Sequence, residues 1–244
     1  AHAPAGTSAL LLTNSFGSAL DLRLARLRCS GYATDLRRPL LAAAFPVPAR
    51  LKQDAAPMHM VEYYYELARV FVGGDVPPVP TDLSLRLPPQ AAAGARSALA
   101  GIGGGYVMLC PVAIGRHRGR VKAWDGFGAL FAELAGAGVR VVACPGPGER
   151  DAVRAAVPGA TLLPEVDLAT FGALLAGSRL VVANDSGAAH VAAAVGARLL
   201  TLFGVTDSRR TGPWSSTAVR LGSAEAWPSF AAVVAEVRRQ LESQ

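Results

Sequence analysis

Short apolar runs alternate with helical stripes along residues 106–244. Runs such as Tyr106–Cys110 and Leu180–Ala183 are apolar at consecutive positions, which predicts strands buried on both faces. Between the runs, apolar residues recur at helical spacing. One such stripe consists of Phe127, Leu130, Phe131 and Leu134. This alternation predicts an α/β fold, a doubly wound parallel sheet with helices on both faces.

The predicted elements of this region are joined by short turns. The strands are Tyr106–Cys110, Val139–Cys144, Leu162–Leu163, Leu180–Ala183 and Leu199–Phe203. Two of the predicted helices have capping aspartates: one is capped by Asp125 and ends at 135–138, and the other is capped by Asp167 and ends at Ala176. The other helices are Glu149–Val157, Ser186–Val195 and Phe230–Leu241. Ligands of such sheets bind beyond the carboxyl ends of the strands, so the candidate binding loops are 111–124, 145–149, 184–187 and 204–213.

The front of the chain has fewer recognisable elements. We predict a strand at Ala9–Thr13, a helix at Ser15–Leu27 capped by Ser15, and a helix at Met58–Val72. A single strand lacks the neighbours that a parallel sheet needs. The predicted organisation is therefore a partial N-terminal domain at 1–75, a proline-rich linker at 76–105 and a second domain at 106–244.

Composition narrows the class of protein. With 244 residues, 51% hydrophobic and 17% charged, the chain is globular and not disordered or fibrous. No apolar run approaches the ~18 residues of a membrane span, and the start lacks the features of a signal peptide, so we expect a soluble, cytoplasmic protein. The net charge of +6 allows an anionic partner, either a phosphorylated ligand or a membrane surface. We expect no nucleic acid partner, and the cysteine spacing predicts neither a disulfide framework nor a zinc site.

The segment from Asn184 to His190 runs from an apolar strand straight into a helix. Its free N–H groups and the helix dipole form a natural phosphate seat, and Gly187 lets a ligand approach the backbone closely. Asp185 would repel phosphate, so it is better suited to accept hydrogen bonds from sugar hydroxyls, while His190 can donate to an anion. The alternative is that Asp185 or Ser186 merely caps the helix. Spacing alone does not separate these interpretations.

Two further side chains follow predicted strands. The chain has only two lysines, and one of them, Lys122, lies in a candidate loop where it could neutralise a diphosphate. Glu149 follows the next strand and could hold ribose hydroxyls, or it could be an ordinary glutamate of a first helical turn. The arginines of the Lys122 loop are interpreted as a solvated basic loop: Arg116, Arg118 and Arg120.

Two glycine patterns fit a dinucleotide site poorly. Residues 101–105 precede a strand instead of following one, and the turn at 146–148 lacks a third glycine. An NAD-linked or nucleotide-sugar-modifying enzyme is therefore a weakly supported alternative.

Several stretches together resemble the ADP-heptose:lipopolysaccharide heptosyltransferases, glycosyltransferase family 9, most closely its heptosyltransferase II branch. In the first part of the chain they are Leu12–Ala19, Gly31-Tyr32 with Asp35 and Arg37-Arg38, and His59 with Tyr63. In the second part they are Pro111–Ala113, Lys122–Trp124, Gly146–Glu149, Asn184–Gly187 with His190, Phe203–Asp207 and Thr211–Pro213. The resemblance covers nearly the whole chain, and the Asp-Ser-Gly…His block is its most specific part.

The resemblance implies a GT-B-like architecture of two Rossmann-like domains with the active site between them. It implies an inverting transfer of heptose from ADP-heptose to the lipopolysaccharide core and lipid A acceptor, with peripheral contact with the inner membrane. No cofactor or metal is expected, because a lysine and a helix N-terminus can stabilise the leaving diphosphate.

The family pattern also implies roles for individual residues. Lys122 would meet the diphosphate and Glu149 the ribose, while Asp185 would face the heptose. The resemblance implies that Lys122 and Asp185 are catalytic. The implied donor-binding residues are Glu149, Ser186, Gly187, His190 and Thr206, the phosphate being held by Ser186, Gly187 and His190.

The chain departs from the family pattern at several points. Val112 and Asp125 replace the usual glycine and proline, and the loop before Lys122 is longer than expected. The family's opening strand and the loop that bears its general base, an aspartate, are not found, so we expect this chain alone to transfer sugar poorly. The alternative function is a non-catalytic nucleotide-sugar-binding remnant or truncated form.

Overall fold

The computed structural model describes residue 4, residues 6–53 and residues 55–243. The chain divides into two compact units, the first ending at Pro80 and the second beginning at Thr81. The prediction that the chain has no signal peptide concerns its first residues, and residues 1–3 lie outside the described residues. Within the described part of the chain, no helix has the length and apolar character needed to cross a bilayer.

The first unit contains a three-stranded parallel sheet with the order β1-β2-β3. Its strands are β1 (Ser8–Leu10), β2 (Arg28–Tyr32) and β3 (Ala43–Phe45), and its helices are α1 (Phe16–Leu24) and α2 (Met60–Val72). The prediction of a single strand without neighbours at Ala9–Thr13 was wrong, because the strand found there, β1, pairs with β2, and β2 pairs with β3. Ser15 caps α1 as predicted, its hydroxyl accepting from the N–H of Ser18 at 3.2 Å.

Both faces of this small sheet are covered. On one side Ala19 of α1 packs with Leu11 and Cys29. On the other, Tyr63 and Leu67 of α2 belong to a separate buried cluster that includes Tyr32 of β2. The first unit therefore has its own hydrophobic core.

The second unit is built on a six-stranded parallel sheet. Its sheet strands are β4 (Val107–Cys110), β7 (Val141–Ala143), β8 (Thr161–Leu162), β9 (Leu180–Asn184), β10 (Leu199–Phe203) and β11 (Val219–Gly222). A short hairpin, β5 (Arg116–His117) and β6 (Arg120–Val121), lies outside the sheet. The helices are α3 (Pro89–Ala98), α4 (Phe127–Gly136), α5 (Arg150–Ala156), α6 (Leu168–Ala176), α7 (Gly187–Ala194), α8 (Ser208–Thr211) and α9 (Phe230–Glu242).

The strand order, β11-β10-β9-β4-β7-β8, is that of a Rossmann sheet. Residues from α4, α5 and α9 pack against one face in one buried cluster, and residues from α3, α6 and α7 form the cluster on the other face. The predicted doubly wound α/β fold is therefore confirmed. The chain order of the strands reverses between β4 and β9, and sheets of this kind bind their ligands at that point.

The structure departs from the sequence prediction at two elements of the second unit. Residues 81–105, predicted as linker, belong to this unit and contain α3, whose Ala91 and Ala95 are buried. Asp125 does not cap α4, because Gly126 occupies the N-cap position and no side-chain cap bond forms there. Asp167 caps α6 as predicted, its carboxylate accepting from the N–H of Thr170 at 2.8 Å.

Candidate functional site

A cavity of about 660 Å³ opens beyond the carboxyl ends of β4, β7 and β9. It contains the point where the strand order reverses, because both Pro111 after β4 and Asp185 after β9 line it. Its walls are formed mainly by three of the four predicted binding loops and by the start of α6. The polar side chains among the lining residues are Lys122, Glu149, Asp167, Asp185 and Ser186.

Lys122 and Asp185 form an ion pair in this cavity. The lysine Nζ lies 3.0 Å from Oδ2 of Asp185, whose side chain is only 6% exposed. The same oxygen accepts a hydrogen bond from the Thr206 hydroxyl at 2.7 Å. Since Asp185 bonds to these two side chains, the alternative that its carboxylate caps α7 is wrong.

Asn184 holds the two ends of the Lys122 loop together. Its side chain is fully buried, and its Nδ2 donates to the carbonyl of Pro111 at 2.6 Å. Its Oδ1 accepts from the backbone N–H of Trp124 at 2.9 Å. One amide thus fixes both the start and the end of the loop that carries Lys122. This role of Asn184 was not predicted from the sequence, although a polar residue that ends a fully apolar strand is a usable signal.

The arginine-rich hairpin of the same loop is partly anchored. Arg120 is exposed, as expected for a solvated loop, but its guanidinium also donates to the carbonyls of Gly204 at 2.6 Å and Ala224 at 2.9 Å, which the prediction did not include. Arg116 donates to the carbonyl of Gly119 within the hairpin, and both Arg116 and Arg118 are exposed, as expected for a solvated loop.

The N-terminus of α7 has an unsatisfied hydroxyl. Ser186 occupies the N-cap position, but its side chain makes no cap bond, and its Oγ is buried with no hydrogen-bond partner among the described residues. Buried hydroxyls nearly always find a partner, so an orphaned one requires an explanation. The first N–H groups of a helix also have no intrahelical acceptor. The position can therefore donate several hydrogen bonds to a ligand.

Glu149 reaches the cavity through the turn that follows β7. Its Oε2 accepts from the N–H of Gly146 at 3.0 Å, which closes the turn locally. Among the described residues, its second carboxylate oxygen has no protein partner. Glu149 therefore stabilises the turn through Oε2, and its other carboxylate oxygen can accept a hydrogen bond at the cavity wall.

Comparison with known families identifies the chain. The sequence model described as "Glycosyltransferase family 9 (heptosyltransferase)" matches residues 5–236. The chain belongs to glycosyltransferase family 9.

A curated relative and two solved structures are similar to this family 9 chain. Lipopolysaccharide heptosyltransferase 3 of Escherichia coli is 37% identical over 131 residues, which is 50% of this chain and 37% of that protein. The E. coli ADP-heptose lipopolysaccharide heptosyltransferase II structure aligns with a TM-score of 0.73 and 23% identity, covering 97% of this chain and 76% of that one. An E. coli heptosyltransferase solved with ADP has a TM-score of 0.69 and 20% identity, covering 97% and 73%. The structural matches confirm the GT-B-like fold class, and the aligned segment spans just over a third of the curated relative.

Two of the predicted site residues of the family 9 chain do not line the cavity. Thr206 is buried and instead supports Asp185. His190 lies on α7 and is not among the residues that line the cavity. Desolvation lowers the pKa of His190, and the positive charge of Lys122 lowers it as well. The negative charge of Asp185 acts in the opposite direction and raises it. The net decrease favours a neutral imidazole at pH 7.

Two cysteines also line the cavity of this family 9 member. Cys110 is the last residue of β4, and Cys144 directly follows β7. Burial raises the pKa of Cys110 to about 12 and that of Cys144 to about 11. Across the described ranges, no group of three or more histidine, cysteine or acidic side chains is arranged to hold a metal ion.

Proposed function

We propose that this chain carries the donor site of a glycosyltransferase that moves heptose from ADP-heptose to the lipopolysaccharide inner core with inversion. The cavity beside α7 supports this most strongly, because a lysine, a carboxylate and an orphaned hydroxyl meet there at the ligand end of a Rossmann sheet. The family and the named activities of the relatives supply the donor and acceptor classes.

The diphosphate of the donor would lie at the N-terminus of α7. Ser186 would donate its hydroxyl and Gly187 its N–H group, and the helix dipole favours the negative charge. Lys122 would be shared between Asp185 and the diphosphate. As the bond between the anomeric carbon and the phosphate oxygen breaks, Lys122 would stabilise the charge that develops on departing ADP.

The carboxylates would contact the sugars of the donor. Lys122 and Thr206 both contact Oδ2 of Asp185, so Oδ1 can accept hydrogen bonds from heptose hydroxyls. Glu149 would accept from the ribose. In the inverting step the acceptor hydroxyl attacks the anomeric carbon from the side opposite ADP, and its proton passes to a base.

Calorimetry against ADP, ADP-heptose, UDP-sugars and NAD tests this proposal. We expect ADP and ADP-heptose to bind and UDP-sugars and NAD to bind much more weakly. Preference for NAD would favour the NAD-linked alternative. Binding of ADP-heptose without transfer to a core acceptor would favour the non-catalytic alternative.

Replacing Asp185 with asparagine should separate the two parts of the donor. We expect Asp185→Asn to leave ADP affinity within about twofold of the parent, because the amide neither repels phosphate nor removes Lys122. Affinity for ADP-heptose should fall about tenfold, since a charged acceptor for the sugar is lost. Calorimetry with both ligands measures the difference. Equal losses for both ligands would contradict a sugar-facing role.

The pH dependence of ADP binding should report on His190. A diphosphate nearby would raise the lowered pKa of His190, so the bound protein would take up a proton that the free protein lacks. Affinity of the parent relative to His190→Ala should therefore increase as the pH falls from about 8 to about 6. The comparison with His190→Ala also removes the effect of the titration of ADP itself, because both proteins bind the same ligand. A constant ratio across this range would remove His190 from the phosphate site.

The cellular setting of the proposed reaction is also a prediction. We propose a cytoplasmic enzyme with peripheral contact with the inner membrane, because the donor is a nucleotide sugar and the acceptor is a lipid-linked core. Fractionation of cells that express the chain tests both statements.

A further inference from the structure

The first unit contains a buried cation that forms no ion pair with any described residue. Arg37 is fully buried, and its guanidinium donates to the carbonyl of Tyr32 at 2.9 Å, to the carbonyl of Thr13 and to Oδ1 of Asn14 at 3.1 Å. Among the described residues, no carboxylate forms an ion pair with it. Arginine keeps its charge in proteins, and a buried charge is costly unless it is paired. The positive charge is thus satisfied only by neutral acceptors.

The Asn14 amide is held in one orientation. Arginine can only donate, so the Asn14 atom that faces it must be the oxygen. The hydroxyl of fully buried Tyr63 also lies 3.1 Å from that oxygen. Burial raises the pKa of Tyr63, which keeps this hydroxyl protonated and able to donate. Two donors therefore fix Oδ1, and the Nδ2 group has no acceptor among the described residues.

Asn14 also lies where a ligand can reach it. It is half-buried and follows β1, at the carboxyl end of the parallel strands of the first unit. Ligands of parallel sheets bind at this end. The residues beside it contribute exposed apolar surface, with Leu12 48% and Phe16 45% exposed.

We propose that Nδ2 of Asn14 donates a hydrogen bond to an anionic oxygen of the acceptor, a carboxylate or a phosphate. Arg37 and Tyr63 are positioning residues, because they turn the amide outward without contacting the ligand. The buried guanidinium polarises the amide and supplies positive potential, which makes an anionic oxygen a better partner than a hydroxyl. The inference rests on the proposed function, since it assumes that the first unit binds the lipopolysaccharide acceptor.

The variant Asn14→Asp separates ligand binding from structure. An aspartate keeps an oxygen for Arg37 and Tyr63 and gives Arg37 the missing opposite charge, so the melting temperature should stay equal or rise. The same change replaces the outward donor with an oxygen that repels anions. Binding of a deacylated, water-soluble inner-core oligosaccharide that carries its carboxylates and phosphates should therefore weaken about tenfold to a hundredfold. Gln53→Glu, the same amide-to-carboxylate change at an exposed position of the same unit, is the control and should change binding less than about twofold.

Two arms of the experiment distinguish the anion. The oligosaccharide is tested by calorimetry after removal of its phosphates and, separately, after reduction of its carboxyl groups to alcohols. The modification that abolishes the difference between parent and Asn14→Asp identifies the partner oxygen. If neither does, or if both proteins bind the intact oligosaccharide equally, the inference is overturned while the donor site stands. If the parent does not bind the oligosaccharide, both this inference and the acceptor part of the proposed function fail, and ADP binding still reports on the donor part.

Discussion

Replacing Lys122 with alanine should weaken ADP binding about tenfold to a hundredfold. A hydrogen bond to a charged group contributes about 1.5–3 kcal/mol, and the variant also leaves Asp185 without its cation beside the proposed diphosphate position. Calorimetry with ADP measures the change. Lys52→Ala removes the other lysine, which is exposed in the first unit, and is the matched control. Unchanged affinity in Lys122→Ala would remove this lysine from the donor site.

The double variant Lys122→Ala/Asp185→Asn tests the source of that loss. If part of it comes from the unpaired carboxylate, neutralising Asp185 should restore some affinity for ADP. The two substitutions would then be clearly non-additive, as expected for side chains in direct contact. Simple addition of the two effects would mean that the lysine acts on the ligand alone.

Replacing Asn184 with alanine should lower the free energy of unfolding by about 2–4 kcal/mol. The substitution leaves the N–H of Trp124 and the carbonyl of Pro111 buried without partners, and each orphaned group costs about 1–3 kcal/mol. Because the loop of Lys122 loses the bond at each end, ADP affinity should fall as well. Denaturant unfolding and calorimetry measure the two effects.

Thr201→Val is the matched control for this substitution. Thr201 is fully buried in β10 of the same sheet, and its hydroxyl has no hydrogen-bond partner among the described residues. Removing that hydroxyl should leave stability equal or slightly higher, and ADP affinity unchanged. A loss in Asn184→Ala no larger than that in Thr201→Val would show that the amide does not hold the loop.

The sequence predicted the second unit well because its strands are buried on both faces. Runs such as Leu199–Phe203, which is apolar except for Thr201, are typical of sheets that helices cover on both sides, and the predicted bounds of that strand are confirmed. Three strands of the two parallel sheets were missed for a physical reason. β2 contains serine and glycine, β3 has three residues, and β11 is half exposed at a sheet edge. The pairing of these three strands with adjacent strands identifies them, and their own residues carry only a weak strand pattern.

For the candidate site, the sequence indicated positions but not the bonds between them. Loop positions after strands placed Lys122, Glu149 and Asp185 at one end of the sheet, and all three line the cavity. The ion pair of Lys122 with Asp185 joins residues far apart in the chain, so no local spacing predicts it. Thr206 is in contact with the carboxylate of Asp185, where only tertiary structure could place it. Whether these residues bind the donor stays a prediction.

The two cavity thiols have a consequence for the redox behaviour of the protein. Oxidants and alkylating reagents attack the thiolate, and a pKa of about 11 instead of 9.0 leaves Cys144 with about a hundredfold less thiolate at neutral pH. Cys110, whose pKa is higher still, is less reactive again. Protonation of both sulfurs also slows disulfide formation, because the attacking species is the thiolate. We therefore expect both cavity thiols to be modified slowly by oxidants and alkylating reagents.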